Sequence, residues 1–294
     1  MRQQHLPGIL PPEHVVNVAS VKQRSPFRYP GGKTWLVPTI RQWLLSLPPH
    51  RRKEFVEPFA GGAIVGLSVA FEQLATHVTL VELDEQVAAV WKAIITEDQG
   101  EWLANQITSL DFCTETVETL LRSQPASLPE QALQTIVRNR INRGGILAPG
   151  AGRAKHGEKG RGIASRWYPM TLSRRILDIV AIRDRLSFIH GDGLRIIHQL
   201  ASRQDTVFFI DPPYTASANH PGKRLYTHST IDHAQLFDLT SEIAGDFLMT
   251  YNFDEAIAAT AEAHHLEWHV VVMKNTHHAH KREMIIGRNL AWLR

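Results

Sequence analysis

The sequence of 294 residues contains a single cysteine, Cys113. A disulfide framework is therefore impossible, and a zinc site that needs two or more thiolates is excluded as well. Nothing in the sequence supplies an activating partner for Cys113, so a packed or partly exposed spectator is favoured over a nucleophile. With so little cysteine, we expect a cytoplasmic protein.

Long hydrophobic runs are also missing. No apolar stretch approaches the roughly 18 to 20 residues that span a bilayer, and residues 1–25 lack the continuous apolar core of a signal peptide. We therefore expect neither membrane insertion nor secretion. The composition, with 43% hydrophobic and 21% charged residues, excludes a disordered chain and is typical of a globular protein.

What the sequence does contain is an alternation of strand-like and helix-like segments in two blocks. Most of the strand candidates are short, unbroken apolar runs, which are typical of a central sheet covered on both faces. The predicted strands span residues 54–57, 77–82, 187–190, 206–210, 247–251, 268–273 and 284–286. The predicted helices span residues 35–47, 63–71, 84–95, 101–107, 129–140, 172–186, 231–243 and 254–263.

The two blocks are separated by a long stretch without strand-like segments, in which helical segments flank a glycine-rich basic loop. The pattern predicts an α/β domain that is interrupted by an inserted module. The predicted division is an irregular lead-in over 1–25, the first part of the α/β domain over 26–98, the insert over 99–185 and the second part of the α/β domain over 186–294.

The most specific motif is Asp211-Pro212-Pro213-Tyr214, which directly follows the apolar run 206–210. Ligands of open α/β sheets bind beyond the carboxyl ends of strands, so the motif is well placed. An aromatic amine is a poor nucleophile because its lone pair is delocalised. Asp211 and the Pro212 carbonyl can accept the two amine protons and aim the lone pair, while Pro213 helps to stiffen the turn. Tyr214 offers a face on which an extruded base can stack. A plain proline-rich turn is the alternative.

Two glycine-containing segments precede this motif, 27–33 (FRYPGGK) and 55–62 (FVEPFAGG). Glycines between a strand and a helix allow a ligand to approach the backbone, and a helix N-terminus attracts carboxylate or phosphate. Glu82 ends the next predicted strand, where it can hold ribose hydroxyls. A Walker A phosphate loop is excluded, because Phe27 occupies the position where that pattern requires glycine.

A basic segment lies within the predicted insert. Between Arg138 and Arg166 there are eight arginines and lysines and one acidic residue, Glu158. This excess fits contact with a phosphate backbone, and Asn139 and Asn142 can reach base edges. A solvated mobile loop is the alternative. The candidate DNA-binding residues are Arg138, Arg140, Asn142, Arg143, Arg153, Lys155, Lys159 and Arg161.

In this order, FRYPGGK, FVEPFAGG and DPPY resemble the motifs of the Dam-type adenine-specific DNA methyltransferases. The order and spacing of the motifs agree with the family over roughly residues 25–290, and the residues themselves agree closely only at the three motifs. It implies an α/β, Rossmann-like S-adenosylmethionine-dependent methyltransferase sheet with an inserted, mainly helical target-recognition domain. It also implies methyl transfer from S-adenosylmethionine to the 6-amino group of an adenine that is flipped out of double-stranded DNA.

The resemblance assigns roles position by position. Asp211 to Tyr214 match the catalytic tetrapeptide, and Asp211 is also expected beside the cofactor. Glu82 stands where the family usually has aspartate, and Ala63 stands where some members have a second glycine. The implied cofactor-binding residues are Tyr29, Lys33, Glu57, Pro58, Phe59, Gly61, Glu82, Asp192 and Asp211.

The expected partner is double-stranded DNA, with no membrane and no required metal. The histidines at 277, 278 and 280 have no suitably spaced carboxylate or thiol partner, and we expect solvated histidines there. We expect a monomer or weak dimer, and a restriction-modification enzyme and a phage methylase both stay open. Three alternatives stay open: an RNA adenine methyltransferase, a DNA cytosine-amine methyltransferase, and a non-catalytic DNA-binding protein with a degenerate methyltransferase fold.

Overall fold

The computed structural model describes residues 20–153, 160–213, 227, 230–274 and 280–293. Three of the candidate residues, Lys155, Lys159 and Tyr214, lie outside these ranges, as do His277 and His278.

Seven strands and ten α-helices form the described part of the chain. The strands are β1 (Glu54–Glu57), β2 (His77–Glu82), β3 (Leu186–His190), β4 (Thr206–Ile210), β5 (Asp246–Asn252), β6 (Glu267–Lys274) and β7 (His280–Gly287). The helices are α1 (Val37–Ser46), α2 (Ile64–Phe71), α3 (Glu85–Trp91), α4 (Gly100–Ser109), α5 (Thr114–Arg122), α6 (Leu128–Ile141), α7 (Pro169–Val180), α8 (Gly193–Leu200), α9 (His233–Glu242) and α10 (Glu255–Ala263).

The strands form one sheet in the order β3-β2-β1-β4-β5-β7-β6. Strands β1 to β5 are parallel, whereas β7 runs antiparallel to both of its neighbours. The strand order reverses between β1 and β4, where Glu54 lies opposite Thr206. In sheets of this kind, ligands bind beyond the carboxyl ends of the strands at such a reversal. The topology therefore points to the loops that follow β1 and β4.

Helices cover both faces of the sheet, which explains why its strands are continuous apolar runs. All five residues of β4 are buried. One hydrophobic cluster packs helices α1 to α7 against one face, and a second packs α8, α9 and α10 against the other. Residues of the predicted insert, such as Leu103, Ile136 and Ile176, belong to the first cluster together with Leu80 of β2. The inserted helices therefore share the core of the sheet.

Each of the seven predicted strands is confirmed, although β7 is longer than expected. The helix prediction over 172–186 is wrong at both ends: α7 begins at Pro169, where proline fits the first turn, and it ends at Val180. Helices α5 and α8 were not predicted. The first is rich in β-branched residues and begins after the exposed Cys113, and the second begins with glycine, so helix propensity gives neither a strong signal.

A close contact brings together the loops that follow β1 and β3. A Cβ atom on Gly193 would lie 2.4 Å from the carbonyl oxygen of Pro58 and 2.7 Å from the ring of Phe59. Only glycine allows this approach, because a side chain would overlap backbone atoms. Gly191, two residues earlier, has its nearest such neighbour at 3.6 Å, an ordinary contact.

We expect Gly193→Ala to lower the free energy of unfolding by about 1–3 kcal/mol, because the new methyl group must displace the loop at Pro58. Gly191→Ala, which meets no close neighbour, is the matched control and should have little effect. Chemical denaturation of both variants measures the difference. Equal stabilities of the two variants would contradict the close approach.

Candidate functional site

A cavity of about 800 Å³ opens at the carboxyl ends of the parallel strands. Its volume lies within the range of about 300–1,000 Å³ that is typical of small-molecule sites. Residues 27–34 and the loops that follow β1, β2, β3 and β4 form much of the wall. The predicted insert contributes Gly144, after α6, and Arg175, on α7. The candidate residues that line it are Tyr29, Lys33, Glu57, Pro58, Phe59, Gly61, Glu82, Asp192, Asp211, Pro212 and Pro213.

An ion pair between the buried Lys33 and the partly exposed Asp211 lines the cavity. The ammonium group of Lys33 lies 2.9 Å from Oδ2 of Asp211 and 3.7 Å from Oε2 of Glu283, which lies on β7. It also donates a hydrogen bond to the carbonyl of Gly31 at 3.0 Å. The Lys33 side chain is only 2% exposed, so these partners replace the water that an ammonium group otherwise requires.

The other oxygen of the Asp211 carboxylate is held from β5. The Thr250 hydroxyl, which is fully buried, donates to Oδ1 of Asp211 at 2.8 Å. Both carboxylate oxygens are thus fixed by protein donors. Asp211 begins the loop at the end of β4 and lines the cavity together with Pro212. Its orientation is therefore set before any ligand arrives.

The segment around Tyr29 packs against the loop that follows β1. A Cβ atom on Gly61 would lie 2.4 Å from the Tyr29 ring, and one on Gly62 would lie 2.8 Å from Tyr29 Cβ. Gly61 has φ +48°, and its carbonyl accepts a hydrogen bond from Nε1 of Trp91 at 2.9 Å. The glycine pair is thus required by the packing of Tyr29 and by the backbone conformation at Gly61.

Ala63 adopts the left-handed conformation, with φ 51°, just before α2. This position is the one at which some members of the family resembled have glycine. A side chain there raises the backbone energy, which glycine would avoid.

Glu57, the last residue of β1, is buried and accepts a hydrogen bond from the Gly66 N–H at 2.7 Å. Burial raises the pKa of Glu57 to about 8, and the nearby Asp211 carboxylate adds to the rise, while the Gly66 N–H and the Lys33 ammonium oppose it. The side chain is therefore mostly protonated near neutral pH. It acts as an internal support of the loop beneath the cavity.

Glu82 ends β2 and is partly exposed to the cavity. Its Oε2 accepts from the Gly61 N–H and its Oε1 from the Asp84 N–H, both at 2.8 Å. Burial and the Asp84 carboxylate raise the pKa of Glu82 to about 7, against the opposite effect of these donors. Each oxygen keeps an acceptor position for a hydroxyl donor. The longer side chain of glutamate is thus accommodated by two backbone contacts.

Asp192 is exposed and lies at the cavity wall, where its carboxylate accepts from the Leu194 N–H at 2.9 Å and caps α8. The capping interaction explains an aspartate at this position by itself.

The structure corrects part of the basic-segment prediction. Arg140 and Asn142 are only 5% and 6% exposed, and their donors bind the carbonyls of Pro26 and Ile146 inside the protein. Asn139, whose side chain was also expected to reach base edges, is fully buried. These side chains cannot reach DNA without leaving the core. These side chains lie on the faces of α6 and of the following turn that pack against the core. The number of charged residues in a segment does not show which side chains face inward.

The remaining described members of the set are at the surface or half-buried. Arg143 and Arg161 are exposed, and the Arg161 guanidinium lies 5.6 Å from the centre of the Tyr168 ring. Arg153 is exposed but forms an ion pair with Glu118, and the half-buried Arg138 donates to the Gln86 side chain. The charge available at the surface is therefore smaller than the sequence count indicates.

Four residues important to the site were missed by sequence reasoning: Gly66, Trp91, Thr250 and Glu283. Thr250 lies within the apolar strand β5 and Glu283 in the charged first half of β7, and neither pattern gives a sign of the polar partner. Gly66 interrupts a helical run, and an isolated helical glycine is a usable signal of close packing. A Cβ there would lie 2.6 Å from Oε2 of Glu57.

The sheet, with its cavity at the strand reversal and an aspartate-proline-proline turn at the end of β4, defines a Rossmann-like methyltransferase. Residues 29–139 match the family of D12 class N6 adenine-specific DNA methyltransferases. This match supports the resemblance to the Dam-type family and an enzyme of the adenine-specific DNA methyltransferase type. The match includes Tyr29, Lys33, Glu57 and Glu82, whereas the DPPY motif lies beyond it.

A search of the curated proteins found no match to the sequence. Among solved structures, an rRNA methyltransferase from Streptomyces viridochromogenes is 11% identical and aligns over 94% of this chain and 92% of its own, with a TM-score of 0.40. A precorrin-6y C5,15-methyltransferase from Geobacter metallireducens is 8% identical over 86% of this chain and 87% of its own, with a TM-score of 0.37.

None of the helices in the described ranges has the length and apolar character of a membrane-spanning segment. Within those same ranges, no group of three or more histidine, cysteine, aspartate or glutamate side chains is arranged to hold a metal ion.

The raised pKa of Glu57 makes stability depend on pH. Its ordinary pKa near 4.5 applies to the unfolded chain, so the folded state binds the proton more tightly. The resulting stabilisation is fully present below about pH 4.5 and is lost as the pH rises toward 8. Glu57→Gln cannot titrate but keeps an acceptor for the Gly66 N–H.

We therefore expect the free energy of unfolding of the wild type to fall relative to that of Glu57→Gln between about pH 5 and pH 8.5. Urea denaturation of both proteins across this range gives the difference. Parallel pH profiles would show that Glu57 does not titrate in this window.

Proposed function

We propose that the protein is a site-specific methyltransferase that transfers a methyl group from S-adenosylmethionine to the 6-amino group of an adenine flipped out of double-stranded DNA. The observation that carries this proposal is the fixed carboxylate of Asp211, which Lys33 and Thr250 hold at the edge of the cavity. The match of residues 29–139 to the adenine-specific DNA methyltransferase family supports the reaction and the DNA substrate.

Asp211 acts on the amine rather than on the methyl donor. Its carboxylate accepts one amine proton and the Pro212 carbonyl accepts the other, so the nitrogen lone pair turns out of the ring plane and toward the methyl group. As the N–CH3 bond formed and the S–CH3 bond of the sulfonium broke, positive charge would develop on the nitrogen, and the Asp211 carboxylate would stabilise it. The nitrogen would then release one proton to the Asp211 carboxylate or to solvent, leaving the neutral methylamine. Because its two oxygens are already positioned, little reorganisation is needed during the reaction.

The residues of the cavity fit S-adenosylmethionine. The Glu82 carboxylate retains acceptor positions for ribose hydroxyls, as noted above, and the loop after β1 presents the backbone near the start of α2. Tyr29, Phe59 and Asp192 complete the proposed cofactor wall. When bound, the cofactor supplies an electrophilic methyl group on a sulfonium centre with a neutral leaving group. The protein then has mainly to align the two reactants.

A duplex hides the adenine amine within a base pair, so the base must leave the stack before it can reach Asp211. We propose that Tyr214, which lies outside the described residues, stacks on the extruded base. For duplex binding we retain the surface arginines Arg143, Arg153 and Arg161, together with Lys155 and Lys159. Residues 99–185 remain our proposal for the target-recognition part of the chain, although their helices share the core of the sheet.

Expression in cells that lack adenine methylation tests the reaction. We expect 6-methyladenine in nucleosides from their DNA, measured by mass spectrometry, and none with Asp211→Ala, which removes the acceptor that aims the amine. The purified Asp211→Ala protein should keep its affinity for duplex DNA. Loss of both methylation and DNA binding from a folded variant would contradict the role given to Asp211.

The same experiment separates the alternatives. Methylated adenine confined to RNA would indicate an RNA substrate, and methylated cytosine in DNA would indicate a cytosine-amine enzyme. A folded protein that binds cofactor and DNA but produces neither would indicate a binding role alone.

We expect Arg143→Ala to weaken duplex binding about equally for all sequences and to reduce the slope of log affinity against log salt by about 1, because one phosphate contact is lost. Arg122→Ala is the matched control, since Arg122 is exposed on α5, outside the basic segment, and forms an ion pair with Glu118. Fluorescence anisotropy at several salt concentrations measures both slopes. Identical slopes would remove Arg143 from the interface.

A further inference from the structure

The chain between residues 25 and 28 has no strand or helix to satisfy its backbone, yet Ser25, Pro26 and Phe27 are buried. Buried backbone groups require hydrogen-bond partners. The Phe27 N–H donates to Ser25 Oγ at 3.1 Å, whereas the carbonyls of Ser25 and Pro26 accept from side chains of the inserted helices. Arg175 of α7 donates to the Ser25 carbonyl at 3.0 Å. Arg140 of α6 donates to the Pro26 carbonyl.

Asn139 of α6 makes the most complete of these contacts. Its Oδ1 accepts from the Arg28 N–H at 2.9 Å, and its Nδ2 donates to the Arg28 carbonyl at 2.9 Å and to the Gly145 carbonyl at 2.6 Å. The fully buried Asn139 side-chain amide thus binds both the backbone N–H and the backbone carbonyl of Arg28, and it connects them by a hydrogen bond to the turn that follows α6. No other residue type of this size offers the same donors and acceptor.

The turn itself is shaped for this approach. Gly145 has φ +76°, and a Cβ atom there would lie 2.0 Å from the Arg28 carbonyl oxygen. Gly150 has a similar φ of +80° but nothing within 4 Å of the corresponding position. The backbone conformation therefore favours glycine at both sites, whereas only Gly145 requires it for contact with Arg28.

The residue after Arg28 is Tyr29, which packs on Gly61 and Gly62, and Lys33 follows with its ion pair to Asp211. A displacement of the Arg28 backbone would be passed directly to Tyr29, because no flexible linker separates the two.

We propose that Asn139 and Gly145 are positioning residues for the cofactor pocket: by gripping the Arg28 backbone, they hold Tyr29 against the glycine loop in the geometry that binds S-adenosylmethionine. The inference rests on the proposed function for the identity of the ligand. It gives the asparagine and glycine of the insert a role in the cofactor site rather than at the DNA surface.

Gly145→Ala and its control Gly150→Ala test this proposal, since both add a methyl group at a positive φ. We expect the affinity of folded Gly145→Ala for S-adenosylmethionine, measured by isothermal titration calorimetry, to fall by about 10-fold relative to Gly150→Ala. The affinity of Gly145→Ala for duplex DNA without cofactor should equal that of the control.

A second pair keeps the test decisive if Gly145→Ala does not fold. Asn139→Ala removes the contacts to Arg28. Thr135→Val, the control, alters a buried polar residue one turn earlier on α6, whose hydroxyl donates within the helix to the Gln131 carbonyl. We expect weaker cofactor binding for Asn139→Ala alone.

If the two variants of each pair bind S-adenosylmethionine equally well, the positioning role is overturned. It is also overturned if Gly145→Ala or Asn139→Ala loses as much affinity for DNA as for the cofactor, since the role would then be purely structural. If the wild type itself does not bind S-adenosylmethionine, the proposed function fails instead, so the two failures are distinguishable.

Discussion

The arrangement of this protein depends on one buried ammonium group. An ammonium group that leaves water loses several kcal/mol of solvation unless carboxylates and carbonyls replace the solvent. For Lys33 the replacements come from Asp211 after β4, Glu283 on β7 and the carbonyl of Gly31. The N-terminal segment, the reversal point of the sheet and its antiparallel strand must therefore converge at one place. The orientation of Asp211 is a consequence of that convergence.

Apart from Lys33, the charged groups named so far lie on different sides of the cavity according to their sign. The cavity wall carries the carboxyl groups of Glu82, Asp192 and Asp211, whereas Arg28 and Arg175 line it on the side of the inserted helices. Burial lowers the pKa of both arginines, and Arg166 adds to the effect at Arg28. For the proposed reaction, such a division suits a cationic methyl donor on the acidic side and a polyanionic duplex on the basic side.

Much of the site could be predicted because parallel strands end at a common edge. Once the apolar runs are recognised as strands, Glu57, Glu82 and Asp211 must lie near one another, and the structure brings them together. What could not be predicted depends on contacts between distant parts of the chain. The residues around Thr250 and Glu283 are those of ordinary strands and do not reveal the contacts of these two side chains. Likewise, the arginine-rich pattern around Arg140 does not show which guanidinium groups face the core and which face the surface.

The hydrogen bonds between α6 and the N-terminal segment affect the order in which parts of the protein fold. The Asn139 contacts to Arg28 join residues 111 positions apart, and the Arg175 contact to Ser25 joins residues 150 positions apart. During synthesis Ser25 and Arg28 are made before the inserted helices, so Asn139 and Arg175 can bind their backbone only after α6 and α7 have been made. Because such long-range contacts form late, the pocket should mature after the hydrophobic core. A nascent chain that is stopped before α6 would carry the Arg28 backbone without the Asn139 side chain that binds it.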